Sequence, residues 1–205
     1  MRVSCIARRL AVRSGEWAMP MRVEIFAAGG IAVGVLARGG HLRAALEAAE
    51  PLTIERVTWH ALDGSKPRPI GEVTVEPDDI FLASTEEGDD LPVHAQWHDI
   101  ALHVGPYRIQ GQMPTMPGFD PGRALARPTG EFVQLRDVTI GLAGDEIAGM
   151  ARPMALANRY CVERVEADMM LGFFFPGAEM ITTAGPEAPP AGTRVPISIE
   201  AAQPA

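Results

Sequence analysis

The side chains best suited to chemistry are three of the five histidines: His94, His98 and His103, with Trp97 and Asp99 between them. On a helix, His94 and His98 at the i, i+4 spacing would share a face and could offer two ligands to a divalent metal. The segment reads better as a strand, because Ile100, Leu102 and Val104 alternate with Ala101 and His103. On a strand His94 and His98 face one way and His103 the other, so they build no local three-histidine cage. They stand as candidate ligands for a divalent metal, against the plainer reading of an edge cluster in water.

Other candidate chemistry is sparse. Glu86, Glu87, Asp89 and Asp90 form an acidic joint without the spaced oxygens of a calcium loop. Asp78-Asp79 and Asp145-Glu146 sit where turns need them for backbone reasons. The glycines at 29–30, 34 and 39–40 lack the Lys-Ser/Thr that follows a phosphate-binding loop, and no Gly-x-Ser-x-Gly elbow occurs. Cys161 lies in an apolar stretch, as a small core thiol does. With no disulfide framework, a cytoplasmic location and no cofactor are expected.

Composition narrows the classes further. Of 205 residues 47% are apolar and 21% charged, enough for a packed core, and the net charge of −8 argues against nucleic-acid partners. No apolar run is long enough to span a membrane as a helix. Residues 1–20 carry arginines but no apolar periodicity, and are expected to be a dispensable tail or a mis-called start. Residues 183–205 are rich in Pro and Ala and are expected to be mobile, with a possible short strand over Arg194–Ile199.

The elements that must position any site repeat along the chain. Leu52-Thr-Ile-Glu-Arg-Val-Thr-Trp59 and Val133-Gln-Leu-Arg-Asp-Val-Thr-Ile140 share their apolar positions, and both change face after two charged residues. Such a slip marks a bulge, expected at Glu55-Arg56 and at Arg136-Asp137. Upstream, two short strands flank Gly29-Gly30 in one stretch and Gly105-Pro106 in the other. Downstream, Val73 and Val75, then Ile80 and Leu82, parallel Met154 and Leu156, then Tyr160 and Val162. A helix is expected over Leu42–Ala49, ended by Pro51, and a shorter one from Asp120-Pro121 to Pro128.

The expected fold is therefore mainly β: two tandem small bent-sheet or partly open barrel domains, each strand–strand–short helix–strand–strand–strand. Their expected bounds are 21–85 and 93–166, joined by an acidic linker at 86–92. The second copy, through Ile100–Leu102, Tyr107–Gly111, Phe132–Leu135 and Leu156–Tyr160, resembles an uncharacterised bacterial β-rich domain family with no established activity. The first copy resembles the Sm-like small barrels through Ile70-Gly-Glu-Val-Thr-Val-Glu-Pro-Asp-Asp-Ile80. That resemblance implies a small barrel, but the basic Arg-Gly pair that helps such barrels grip RNA is replaced by Glu76-Pro77.

The segment 167–182 lies outside the repeat and holds Met170-Leu171-Gly172-Phe173-Phe174-Phe175. Three adjacent phenylalanines cannot all face one core, so the arm is expected to seal a barrel end or to contact a protein partner or a second copy. Met170, Leu171, Phe173, Phe174 and Phe175 are the candidate interaction residues. The favoured reading is a non-enzymatic interaction or assembly module. The rival is a small-molecule or metal-dependent sensor or enzyme using the cleft between copies near His94, His98 and His103.

Overall fold

The computed structural model describes residues 20–36, 40–48, 50–86, 92, 94–118, 130–144 and 149–183. The first nineteen residues, most of the acidic linker, the helix expected after Asp120 and the strand expected at Arg194–Ile199 lie outside them. Strands dominate: β1 Met21–Ala27, β2 Gly30–Leu36, β3 Leu52–Ala61, β4 Arg68–Val75, β5 Leu82–Thr85, β6 Gln96–Val104, β7 Tyr107–Thr115, β8 Phe132–Leu142, β9 Met150–Asn158, β10 Val162–Ala167 and β11 Glu179–Thr182. All belong to one 11-stranded sheet in the order β11-β10-β6-β7-β8-β9-β5-β1-β2-β3-β4, which does not close into a barrel. The single α-helix among the described residues, α1 (Leu42–Leu46), is one turn long and buries Leu42 and Leu46, and a 3-10 turn covers Pro77–Asp79.

Two stretches of the sheet follow the same order. In β5-β1-β2-β3-β4 and in β10-β6-β7-β8-β9 the last strand in sequence lies beside the first, and the others follow in turn. The expected bulges are present. Arg56 and Asp137 adopt left-handed backbone, φ 54° and 50°, conformations that side chains other than glycine adopt at a cost. The ladders slip at matching places: Val33↔Thr58 is followed by Val35↔Glu55, and Gln110↔Thr139 by Gln112↔Arg136. Opposite each slip stands a glycine whose missing Cβ makes room. At Gly34 a Cβ would lie 2.6 Å from Ile54 Cγ2, and at Gly111 it would lie 2.7 Å from Val138 Cγ1. Beyond the bulge Ile140 is buried, and Trp59 packs on the same side as the core of its own half.

Two expected correspondences are corrected. Leu82 faces Phe26 as Arg164 faces His103, so Leu82 matches Arg164 and not Val162. Val75 pairs with Leu52 as Ala157 pairs with Val133, so Val73 and Val75 match Ala155 and Ala157, one place beyond Met154 and Leu156. The reason lies in the seam where β5 meets β9, with Leu82↔Ala157, Ala83↔Leu156 and Ser84↔Ala155. All four β5 residues and the last five of β9 are buried, because this seam has a core on both faces. Met154 and Leu156 point into the core of the first half, among Val23, Ile25, Ile54 and Ala83. Phe26 and Leu82 point the other way, into the core of the second half among Leu102, Ile109 and Ile140. The two halves share their cores across one continuous sheet.

Polar groups caught in the seam are satisfied. Ser84 Oγ donates to the Met154 carbonyl at 2.8 Å, and Arg152 grips Glu24 through two hydrogen bonds of 2.6 and 2.7 Å. Tyr107, fully buried, crosses to the turn of the first half, where its hydroxyl lies 2.9 Å from the Ala27 carbonyl and 3.0 Å from that of Gly30. Its ring meets Phe26 edge to face at 5.4 Å.

Candidate functional site

The histidines do not converge. His98 lies on the core face of β6, buried, with Nε2 2.9 Å from Thr115 Oγ1. His103 lies on the opposite face, as strand alternation requires, and its Nε2 is 3.0 Å from Glu166 Oε1. His94 precedes the strand and is exposed. Among the described residues no group of three or more His, Cys, Asp or Glu side chains is placed to hold a metal ion. The shared centre that His94, His98 and His103 would need is therefore not formed.

The structure builds a polar groove around His103's face instead. The outer surface of β10, β6, β7 and β8 bends at the Asp137 bulge into a shallow groove of about 490 Å³. The small residues Ala101 and Gly111 line it together with rim-forming polar side chains, Asp99, Arg108, Gln112 and Glu166 among them. The rim side chains hold one another. Glu166 accepts from His103 and, at 3.3 Å, from Arg108; Gln112 donates to Asp99 at 2.9 Å and accepts from Arg136 at 2.8 Å. The Arg136 guanidinium lies 3.9 Å from the centre of the Trp97 ring. The His103 hydrogen bond, and then that of Arg108, hold the Glu166 carboxyl below its ordinary value against the opposing effect of burial. Glu166 thus serves as the acceptor of both hydrogen bonds.

The aromatic arm is divided between inside and outside. After β10 the chain turns over the second core, closed by bonds from Phe174 N–H to the Leu171 carbonyl and from Phe175 N–H to the Gly172 carbonyl. Leu171 and Phe175 are fully buried, and Phe174 packs half-buried against the same core. Leu171 and Phe175 thus fill the core of their own chain, and Phe174 does so in part. Phe173 is half-buried, edge to face with Phe174 at 5.9 Å, and Met170 is 58% exposed. The arm returns as β11, parallel to β10, a strand without an expectation in the sequence. Parallel return needs a crossover, and the arm is that crossover.

Cys161 packs beside the second core, and burial, aided by Asp78, pushes its thiol up, which makes it a poor nucleophile. Tyr107 was missed as a cross-sheet pin: a Tyr between Pro106 and Arg108 after a Gly-Pro turn reads only as the start of a strand. No helix among the described residues is long and apolar enough to cross a membrane. Compared with known proteins, the chain matches no family model, no curated protein and no solved structure.

Proposed function

We propose that the chain is a non-enzymatic, cytoplasmic interaction module: a duplicated small β unit fused into one sheet, presenting its arm to a protein partner. The duplication is supported by the twin bulges at Arg56 and Asp137, each facing a glycine, Gly34 or Gly111. Unrelated strands have no common reason to place left-handed residues at the same ladder position. The interaction reading rests chiefly on the arm's division of labour. Leu171 and Phe175 anchor it inside, while Met170 is exposed and Phe173 lies half-buried beside it. Rigid presentation of apolar side chains lowers the ordering cost of binding.

The test uses the full chain from its own cells. Met170→Asp with Phe173→Asp should leave the melting temperature within a few degrees yet remove co-purifying protein, identified by mass spectrometry and then rebound as a purified pair. Retention of that partner by the double variant would refute the reading. Metal analysis of the same preparation addresses the rival class. Stoichiometric zinc lost on His98→Ala would favour a metal-dependent protein.

A further inference from the structure

The seam between the halves joins unlike surfaces: the fourth strand of one unit, β9, lies on the fifth strand of the other, β5. Such a heterologous contact can in principle repeat without end. Strand order leaves two surfaces where it could repeat, β10 at one end and β4 at the other. We propose that the chain blocks both ends against a second copy of itself, using β11 and a polar substitution set, so that the seam is made once. This proposal rests on the duplication argued above.

At the β10 end, the seam's side chains have polar counterparts. Phe26 pairs with Leu82 and with Ile31, and the three pack into the second core. The matching ladders place His103 against Arg164 and against Arg108. The apolar trio that receives the neighbouring unit is thus replaced by His103, Arg108 and Arg164. The backbone edge is covered as well. β9 covers β5 at Leu82, Ala83 and Ser84, and β11 covers β10 at Arg164, Val165 and Glu166, the matching residues. Glu179 of β11 adds a 3.1 Å ion pair to Arg164.

At the β4 end the corresponding change is on the inserting strand. β9 sends Met154 and Leu156 into the neighbouring core. Val73 and Val75 match Ala155 and Ala157, so the matching residues of β4 are Glu72 and Thr74, both exposed. A carboxylate inserted into an apolar core without a partner is strongly disfavoured. Pro69 in the same strand withholds one ladder donor, as edge strands that avoid pairing do. Both ends depart from the seam in the direction that forbids it.

Mixing two opened chains tests this. Chain one carries Glu72→Met and Thr74→Leu. Chain two carries His103→Phe, Arg108→Ile, Arg164→Leu and Ile181→Pro, the last to release β11. By light scattering after size exclusion, wild type and each variant alone should have the monomer mass, and the mixture should double it. A folded mixture that stays monomeric overturns the proposal, as does a wild type that self-associates and loses that association on β4 or β10 substitution. Should chain two fail to fold, a milder version with His103→Leu, Arg108→Leu and Arg164→Leu, and with Glu179→Ala to loosen β11 in place of the proline, replaces it. It should retain chain one where wild type does not, and no retention overturns the proposal. Loss of the Met170 partner in the earlier test would not alter the mass result, so the two ideas fail separately.

Discussion

Adding one methyl group at Gly34, or at Gly111, tests the twin bulge. The expected perturbation is steric alone, since neither glycine needs a left-handed backbone. At Gly34 the new Cβ meets Ile54 Cγ2 at 2.6 Å, the Glu55 carbonyl oxygen at 2.7 Å and Val57 Cγ2 at 3.0 Å. At Gly111 it meets Val138 Cγ1 at 2.7 Å and the Arg136 carbonyl oxygen at 2.9 Å. Two of these contacts involve backbone oxygens held in the bulge, which cannot move aside like the end of a flexible side chain. Overpacking of this kind costs about 1–3 kcal/mol, offset by about 0.5–1 kcal/mol because alanine has less freedom to lose than glycine within a strand. A net loss of about 1–2 kcal/mol corresponds to a fall of roughly 2–8 °C for a chain of this size.

The assay is thermal unfolding of wild type, Gly34→Ala, Gly111→Ala and the double variant. Both single variants should fall, by similar amounts. Their sites lie in different halves without shared contacts, so the double variant should fall by about the sum of the two. Retention of the parent temperature by both would refute the packing argument. A large fall in one with none in the other would refute the equivalence of the bulges.

Other expectations bear on the seam, the groove and the arm. Tyr107→Phe removes the donor shared by the Ala27 and Gly30 carbonyls and should cost about 1–2 kcal/mol in denaturant unfolding; an unchanged midpoint would mean that water replaces it. The Glu166 carboxyl is held below its ordinary value of 4.5 in the folded chain. Its contribution is therefore complete above that pH and is lost as pH falls through the lowered folded value. Glu166→Gln should flatten that acid limb of a stability–pH curve and lower stability at neutral pH; an identical limb in both proteins would refute the assignment. Phe175→Ala should cost about 3–5 kcal/mol, as other buried phenylalanines do, while Met170→Ala should stay within about 0.5 kcal/mol. Equal effects would contradict the arm's division into anchor and display.

What the sequence revealed, and what it hid, has a physical pattern. The bulges were legible because a charged pair interrupts an apolar alternation, and a two-residue period makes any slip visible at Glu55-Arg56 and Arg136-Asp137. α1 was legible through Leu42 and Leu46, although its span was set too long. The seam was not legible. β5 is only Leu-Ala-Ser-Thr, a run whose burial on both faces depends on β9, far away in the chain. Likewise Met154 and Leu156 look like core residues of their own half, and sequence alone does not say whose core they fill. The strand alternation of the histidines was legible, but their partners were not: His98 and His103 stand on opposite faces of β6, where they meet Thr115 and Glu166, both on other strands.

The groove and the seam share one explanation. A duplicated unit whose fourth strand fits its own fifth strand would, if both copies stayed identical, offer the same apolar surface again at each end. On the proposed duplication, divergence falls at particular positions. Phe26 answers to His103, Ile31 to Arg108 and Leu82 to Arg164, while Met154 and Leu156 answer to Glu72 and Thr74. Placing cations on a surface freed from packing requires counter-charges nearby, and Glu166 and Glu179 provide them at 3.3 and 3.1 Å. On this argument the network around Glu166 is the charge balance that ending the sheet with cations requires. Under the proposed interaction reading, partner contact falls to the arm outside the two halves, where Met170 is the exposed side chain and Phe173 lies half-buried beside it.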